Sequence, residues 1–173
     1  MVSIKLLRCL ILFSIGIFLL GITACSYSFS GSSVPSHLKT ISIPIFSDKS
    51  GSGEFDLNQK LTRQVIQKFI DDNTLLVSDR QNSNALLEGT VTALSDASAI
   101  ISGGEKITAR RITISVRIVY KDLVKKQQIF DRNFSNYGDY TVGGDITSVR
   151  KAAIDTAINK IAEDILLGVV SNW

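Results

Sequence analysis

Thiols, imidazoles and long apolar spans are all scarce in this chain. Its 173 residues include two cysteines, one histidine, one tryptophan and two prolines. With His37 as the only histidine, there is no material for a histidine-based relay or a multi-histidine metal site. No group of His, Cys or paired carboxylates has metal-ligand spacing, so no metal and no cofactor is expected. Gly103-Gly104 and Gly143-Gly144 lack the Lys-Ser/Thr and the strand-to-helix setting of a phosphate-binding loop, and both read as turns. Catalysis therefore finds no support, and the chain is expected not to be an enzyme. Acidic residues are absent before Asp48, whereas Lys5 and Arg8 precede an apolar run from Leu10 to Leu20. A bilayer core of roughly 30 Å takes about 20 apolar residues to cross, so this run is too short for a comfortable span. A basic start followed by about ten apolar residues is instead the design of a cleavable export signal.

The residues just after the run are more specific. Ile22-Thr23-Ala24-Cys25 resembles the lipobox of bacterial lipoproteins, a branched apolar residue and two small ones before an obligatory cysteine. Small side chains let the backbone enter a protease pocket, and the thiol is nucleophilic enough to take a diacylglyceryl group as a thioether. A plain secretory signal cut after Ala24 would leave Cys25 a free thiol, but residue order and distance from the apolar run favour the lipobox. The resemblance implies cleavage after residue 24 and acylation of Cys25, palmitate-like chains included. Each buried methylene contributes ~0.8 kcal/mol, and two or more chains make a stable anchor. Cys9 leaves with the signal and Cys25 is capped, so the mature chain has no thiol for a disulfide or redox centre. Lys5 and Arg8 also leave from the 19 basic residues that face 16 acidic ones. The mature protein is thus near neutral, and a nucleic-acid partner is not indicated. Ser26 after the cysteine, rather than Asp, points to the periplasmic side of the outer membrane.

Residues 25–38 are serine-rich with one proline and read as a lipidated tether; residues 39–173 read as a single domain. Thr40–Phe46 alternates, with Ile41, Ile43 and Ile45 on one face, and Pro44 suggests an edge. From Asp56 the period changes: Leu57, Leu61, Val65 and Phe69, with Ile66 and Ile70 beside them, predict a helix to about Asn73, opened by an Asp56–Gln59 capping box. After the short apolar Leu75–Val77, Ala85–Leu94 reads as a strand, with Leu87, Gly89, Val91 and Ala93 on one parity. Ala109–Tyr120 alternates most cleanly, with Ile112, Ile114, Val116, Ile118 and Tyr120 opposite Arg111, Thr113, Ser115, Arg117 and Val119. One packed and one wet face result. Lys121–Lys126 makes a turn and Gln128–Phe134 returns antiparallel. A last helix, capped by Thr147 or Ser148, carries Ala153, Ala157, Ile158, Ile161, Ile165 and Val169, widened by Ile154, Ala162 and Leu166. The expectation is an α+β fold, a four-stranded mixed sheet with two amphipathic helices on one face.

Cys25-Ser26-Tyr27-Ser28-Phe29-Ser30-Gly31, Val34-Pro35, Lys39-Thr40-Ile41-Ser42-Ile43 and Phe134-Ser135-Asn136-Tyr137-Gly138-Asp139-Tyr140, in that order behind a lipobox, resemble the LptE family. These are lipopolysaccharide-assembly lipoproteins, and this chain is similar to the Bacteroidetes and Chlorobi type. The resemblance spans nearly the whole mature chain. It implies two helices on a four-stranded sheet, a place as plug in the lumen of an outer-membrane β-barrel translocon, LptD, and binding of lipopolysaccharide on its way to the outer leaflet. Alternative readings are a scaffold lipoprotein of another envelope complex and a periplasmic binding module for a different ligand.

Binding residues are chosen from local pattern, with no family motif assigning them. Lys106, Arg110, Arg111 and Arg117 are placed on or beside the wet side of the long strand, where guanidinium forks suit the phosphates and carboxylates of a glycolipid headgroup. The plainer alternative is a solubilising face balanced by Asp and Glu. Tyr137, Tyr140 and Trp173 are candidates for contact with a barrel wall, where aromatic side chains are enriched.

Overall fold

The structure is a computed structural model that describes residues 34–99 and 109–171. The segment read as an export signal, Cys25 read as the acylation site, Gly103-Gly104 and Lys106 read as a turn, and Trp173 lie outside the described residues. The chain runs β1 (Thr40–Ser42), β2 (Ser47–Asp48), α1 (Leu57–Asp72), β3 (Leu76–Val77), a short 3-10 turn, β4 (Ala85–Ser98), β5 (Ala109–Asp122), β6 (Gln127–Thr141) and α2 (Ile146–Val170). The sheet has six strands in the order β3-β1-β4-β5-β6, with β2 also paired to β4. β1 is parallel to β3 and β4, whereas β4, β5 and β6 form a long antiparallel meander. Among the described residues, no helix is long and apolar enough to cross a membrane.

The α+β class and the two helices agree with the sequence pattern; the strand count does not. Two strands are added because the expected Thr40–Phe46 strand breaks in two and because Leu76–Val77 pairs at the edge. The break has a register cause. Ser42 lies opposite Leu86 and Ser47 opposite Thr90, so five steps on one side match four on the other. Pro44, which has no N–H to donate, stands inside the gap. The extra residue reverses parity: Ile45 is 70 % exposed, and Phe46 takes the core position expected for it. Gly89 leaves room for that ring, since a Cβ there would sit 2.5 Å from Phe46.

A second irregularity matters more. Val91 faces Val116 and Ala93 faces Ser115, which makes Thr92 an extra residue on β4. Before it, Leu87, Gly89 and Val91 point to the helix side; beyond it Leu94, Asp96 and Ser98 do, and Ala93 is exposed. The single-parity expectation for this strand is corrected accordingly, and β4 also runs four residues further than expected, to Ser98.

Both helices contribute to one core on the same side of the sheet. Ile112, Ile114, Val116 and Ile118 are fully buried, and each such side chain contributes about 1.5–3 kcal/mol. The whole predicted stripe of α2 is buried, as are Leu57, Leu61, Val65 and Phe69 of α1. Ile70 is not; it is 54 % exposed, one position off the stripe. At Gly138 a Cβ would lie 2.1 Å from the Ala153 carbonyl oxygen, so the α2 backbone rests directly on β6. The helix caps differ from expectation. Asp56 adopts a left-handed backbone and makes no capping bond, so there is no capping box. At α2 it is Asp145, just ahead of Thr147, whose carboxylate accepts from the Thr147 and Ser148 amides.

Residues 34–38, the end of the expected tether, lie on the domain. Leu38 is 2 % exposed and Val34 packs against the core. His37 Nε2 sits 2.6 Å from Asp122 Oδ2.

Candidate functional site

Strand parity sorts the arginines into two groups. Arg110 shares its parity with Ile112 and Ile114 and points to the helix side, beyond the apolar core; Arg111 and Arg117 point to the open face. The structure therefore separates residues that local pattern groups together.

On the open face each guanidinium already holds a carboxylate. Arg111 lies directly opposite Asp139 and donates from Nε at 2.6 Å and Nη2 at 2.8 Å. Arg117 makes the same two-point contact with Asp131, through Nε at 2.7 Å. These arginines hold the two aspartates below the ordinary carboxylate range. Ser115 and Ser135 share a hydroxyl bond at 3.1 Å between them. Tyr137 lies under the Arg111 guanidinium at 3.6 Å, and the Lys160 ammonium approaches its ring at 4.7 Å while donating to its backbone carbonyl. The face is thus polar but internally neutralised. Tyr137 is 39 % exposed and available for contact, whereas Tyr140 turns inward and is buried.

On the other side, Asp96 is a hub. Its carboxylate accepts from Arg110 Nε at 2.8 Å, from the Tyr140 hydroxyl at 2.8 Å and from Arg150 Nε at 3.3 Å. Arg150 also donates to Glu54 at 2.8 Å. Four elements meet here: β4 brings Asp96, β5 Arg110, β6 Tyr140 and α2 Arg150. The Thr92 bulge is what turns Asp96 toward them; an unbroken ladder would aim it at the open face. Burial pushes the Asp96 carboxyl upward, but the Arg110 bond, with Tyr140 and Arg150 behind it, outweighs that and holds it low. Burial and the Asp96 charge push the Tyr140 phenol up, so it stays a donor.

These residues line a cavity of about 540 Å³ with Lys60 and Lys151 on its walls. Val142 and Ile146, 43 % and 46 % exposed, form its apolar side. Four cations face two carboxylates across an open space, and neither Lys60 nor Lys151 has an ion pair among the described residues. Such a site can hold an anion whose attached chain is apolar. Sequence reasoning found Arg110 here, and Tyr140 in a different role, as a contact for a barrel wall. It missed Asp96, Glu54, Lys60, Arg150 and Lys151. The readable signal was Arg150-Lys151 soon after the helix start, where the dipole disfavours cations unless something holds them.

A second aspartate hub closes the opposite end of the meander. Asp122, 2 % exposed, takes His37 on one oxygen and the Val124 and Lys125 amides on the other, at 2.9 and 2.8 Å. Burial pushes its carboxyl up, and the His37 and backbone bonds bring it below its ordinary value.

Residues 38–167, the bulk of this two-layer domain, match the family model for lipopolysaccharide assembly. The chain belongs to the LptE family. The fold also resembles those of solved structures. A hypothetical protein from Chlamydia trachomatis is 8 % identical with a TM-score of 0.60, over 76 % of this chain and 95 % of that one. The rare lipoprotein B from Shewanella oneidensis is 13 % identical with a TM-score of 0.53, over 75 % and 92 %. A protein from Xanthomonas campestris is 13 % identical with a TM-score of 0.54, over 77 % and 86 %. At such identities the likeness is one of fold. No curated protein matches this LptE sequence.

Proposed function

We propose that this LptE-family chain is a lipid-anchored, non-enzymatic component of the outer membrane that plugs and supports an LptD-like barrel and binds lipopolysaccharide during its transfer to the outer leaflet. The observation that carries the reading is the family match across residues 38–167, which covers nearly all of the described domain. The Asp96 cavity adds a chemical reason. A lipopolysaccharide places phosphates or carboxylates next to acyl chains, and this cavity places Arg110, Arg150, Lys60 and Lys151 next to Val142 and Ile146.

Arg110, with Lys106 near it in sequence, is the preferred headgroup ligand. Asp96 and Glu54 hold the two arginines in fixed orientations, so an incoming anion meets oriented N–H groups. Arg111 and Arg117 are each engaged at Nε and Nη2, as Arg110 is by the Asp96 carboxylate and carbonyl; what sets Arg110 apart is the cavity it shares with Arg150, Lys60 and Lys151. Arg111 and Arg117 belong with Tyr137 to a polar open face suited to a barrel lumen, with Trp173 as a further candidate for that contact. The acyl chains on Cys25 and the serine after it set the address, the periplasmic side of the outer membrane.

The test is to isolate the native lipoprotein from envelope extract and to measure lipopolysaccharide binding at rising salt. The expected result is a large barrel that co-purifies, and salt-sensitive binding that falls at least several-fold when Arg110 and Arg150 are both replaced by Ala. Absence of the barrel together with salt-insensitive or absent binding would overturn the reading.

A further inference from the structure

β6 is the last strand of the sheet, and its outer side has no neighbouring strand among the described residues. The opposite border, β3, is only two residues long. Bonds within the meander fix which backbone groups of β6 point outward. On β5 the Ala109 carbonyl accepts from the Ala99 amide, and the Ser115 carbonyl from the Thr92 hydroxyl. Odd-numbered residues of β5 thus turn their polar backbone groups toward β4. Their partners across the ladder, Ser135 opposite Ser115 and Tyr137 opposite Thr113, form non-hydrogen-bonded pairs. The N–H and C=O of Asp131, Asn133, Ser135 and Tyr137 therefore point away from β5. Tyr137 agrees: its amide donates to Asn136 Oδ1 at 2.9 Å, and its carbonyl accepts from Lys160 Nζ at 3.0 Å.

A long open edge invites pairing with another chain, and proteins commonly blunt it with a lysine or a covering element. On β6 that guard covers one residue. Lys160 reaches from α2 around the edge to the Tyr137 carbonyl, while Asn136, itself bonded to Asp164 of α2 at 2.9 Å, occupies the amide. Behind this clasp only Asp139 and Thr141 face outward before the strand ends. Ahead of it Asp131, Asn133 and Ser135 keep three N–H and three C=O groups without a partner among the described residues.

The two flanks of this stretch differ in chemistry. Toward the open face it presents Asp131, Asn133 and Ser135, with Asp131 already held by Arg117. Toward the helix side, Phe134 rests on Gly168 of α2, where a Cβ would lie 2.9 Å from its ring, and keeps part of its surface exposed. Leu167, three positions from Asp164 and so its neighbour on the helix surface, is 47 % exposed. Arg132 is exposed, with its guanidinium 5.1 Å from the Phe130 ring centre, and has no ion pair among the described residues, whereas Arg117 has Asp131.

We propose that the β6 edge over Asp131–Ser135 receives an extended segment of the barrel partner as an added strand, with an acidic side chain against Arg132 and an apolar one over Phe134. The proposal rests on the reading that a barrel encloses this domain. The wall of a closed barrel has no unpaired strand edge to offer, so the segment belongs to a loop that leaves the wall. A second copy of this chain is a poor occupant. Antiparallel pairing across the middle of the stretch sets Arg132 opposite its twin or diagonal to it, two like charges on one face about 5 to 8 Å apart. Main-chain bonds supply the affinity for an added strand, and the Arg132 and Phe134 positions select its sequence.

The experiment isolates the full chain with the barrel that co-purifies from envelope extract. Amide hydrogen exchange is read residue by residue by mass spectrometry, in the complex and in the chain alone. The expected result alternates: exchange at Asp131, Asn133 and Ser135 slows roughly ten-fold or more in the complex. Phe130, Arg132 and Phe134, whose amides already face β5, change little. Asn133→Pro removes an outward N–H that no bond uses in the chain alone, so its melting temperature stays within about three degrees while the slowing at Asp131 and Ser135 is lost. Arg132→Glu leaves the backbone intact and reduces the slowing roughly five-fold. Uniform slowing across residues 130–135, or none, in a complex that does form would overturn the added strand and leave the translocon reading standing. Slowing in the chain alone that grows with its concentration would overturn it too, because a second copy then occupies the edge. A parent chain that brings down no barrel overturns the translocon reading, and this proposal with it.

Discussion

The two ends of the meander each centre on an aspartate, and they use it in opposite ways. Asp122 is closed: 2 % exposed, with every partner drawn from the chain's own turn or from the incoming residues 34–38. Asp96 is open: its side chain is 23 % exposed, its partners are two arginines and a tyrosine, and a cavity of about 540 Å³ lies in front of it. The first arrangement holds structure together. The second holds side chains in readiness for something else, because arginines arrayed around an accessible carboxylate keep N–H groups directed into the cavity. The same residue type with a depressed pKa is thus architecture or a binding site according to what surrounds it.

The largest expected effect falls on the closed end. Asp122→Ala removes the acceptor for two turn amides and leaves His37 unpaired, and should cost about 3 kcal/mol in urea unfolding. Asp96→Ala should cost about 1 kcal/mol, because water can reach the released arginines. The pattern then inverts for binding: the Asp96 variant loses lipopolysaccharide affinity and the Asp122 variant keeps it. Equal stability losses, or equal binding losses, would erase the distinction between the ends.

Acid sharpens the contrast further. Both carboxyls are held below their ordinary value in the folded protein. Their stabilisation is therefore complete above about pH 4 and fades as pH falls through the lowered folded value. Asp122→Asn keeps an acceptor for the turn amides but cannot titrate, so its stability curve below about pH 4 should be flatter than that of the parent. Asp96→Asn should flatten it less, and chemical denaturation across that window measures both. The smallest effect is expected on the open face. Arg111→Ala and Arg117→Ala break exposed pairs that salt already screens, and their melting temperatures should stay within a degree or two of the parent. A larger drop in either would mean that the open face is structurally coupled to the ends.

Much of the fold is legible in residue spacing. The buried stripe of α2, the core face of α1 and the alternation of β5 are read from it directly, because a helix or an unbroken strand repeats with a fixed period. The turn within Lys121–Lys126 is marked by the charged residues at both of its ends. What spacing could not supply were the places where a period slips. The Thr92 bulge depends on how β4 lies against β5, and it alone decides that Asp96 and Arg110 face each other. The gap at Pro44 likewise exchanges Ile45 for Phe46 in the core. Local sequence puts His37 in a tether without a role, yet it meets Asp122 across 85 positions of chain.

Composition and periodicity by themselves determined the fold class: an α+β domain whose two apolar helix stripes cover an alternating strand. Tertiary structure alone decided which charges stand together. Side-chain direction along a strand is a running count that a single inserted residue reverses, and a pair brought together from distant positions exists only once the sheet has closed between them.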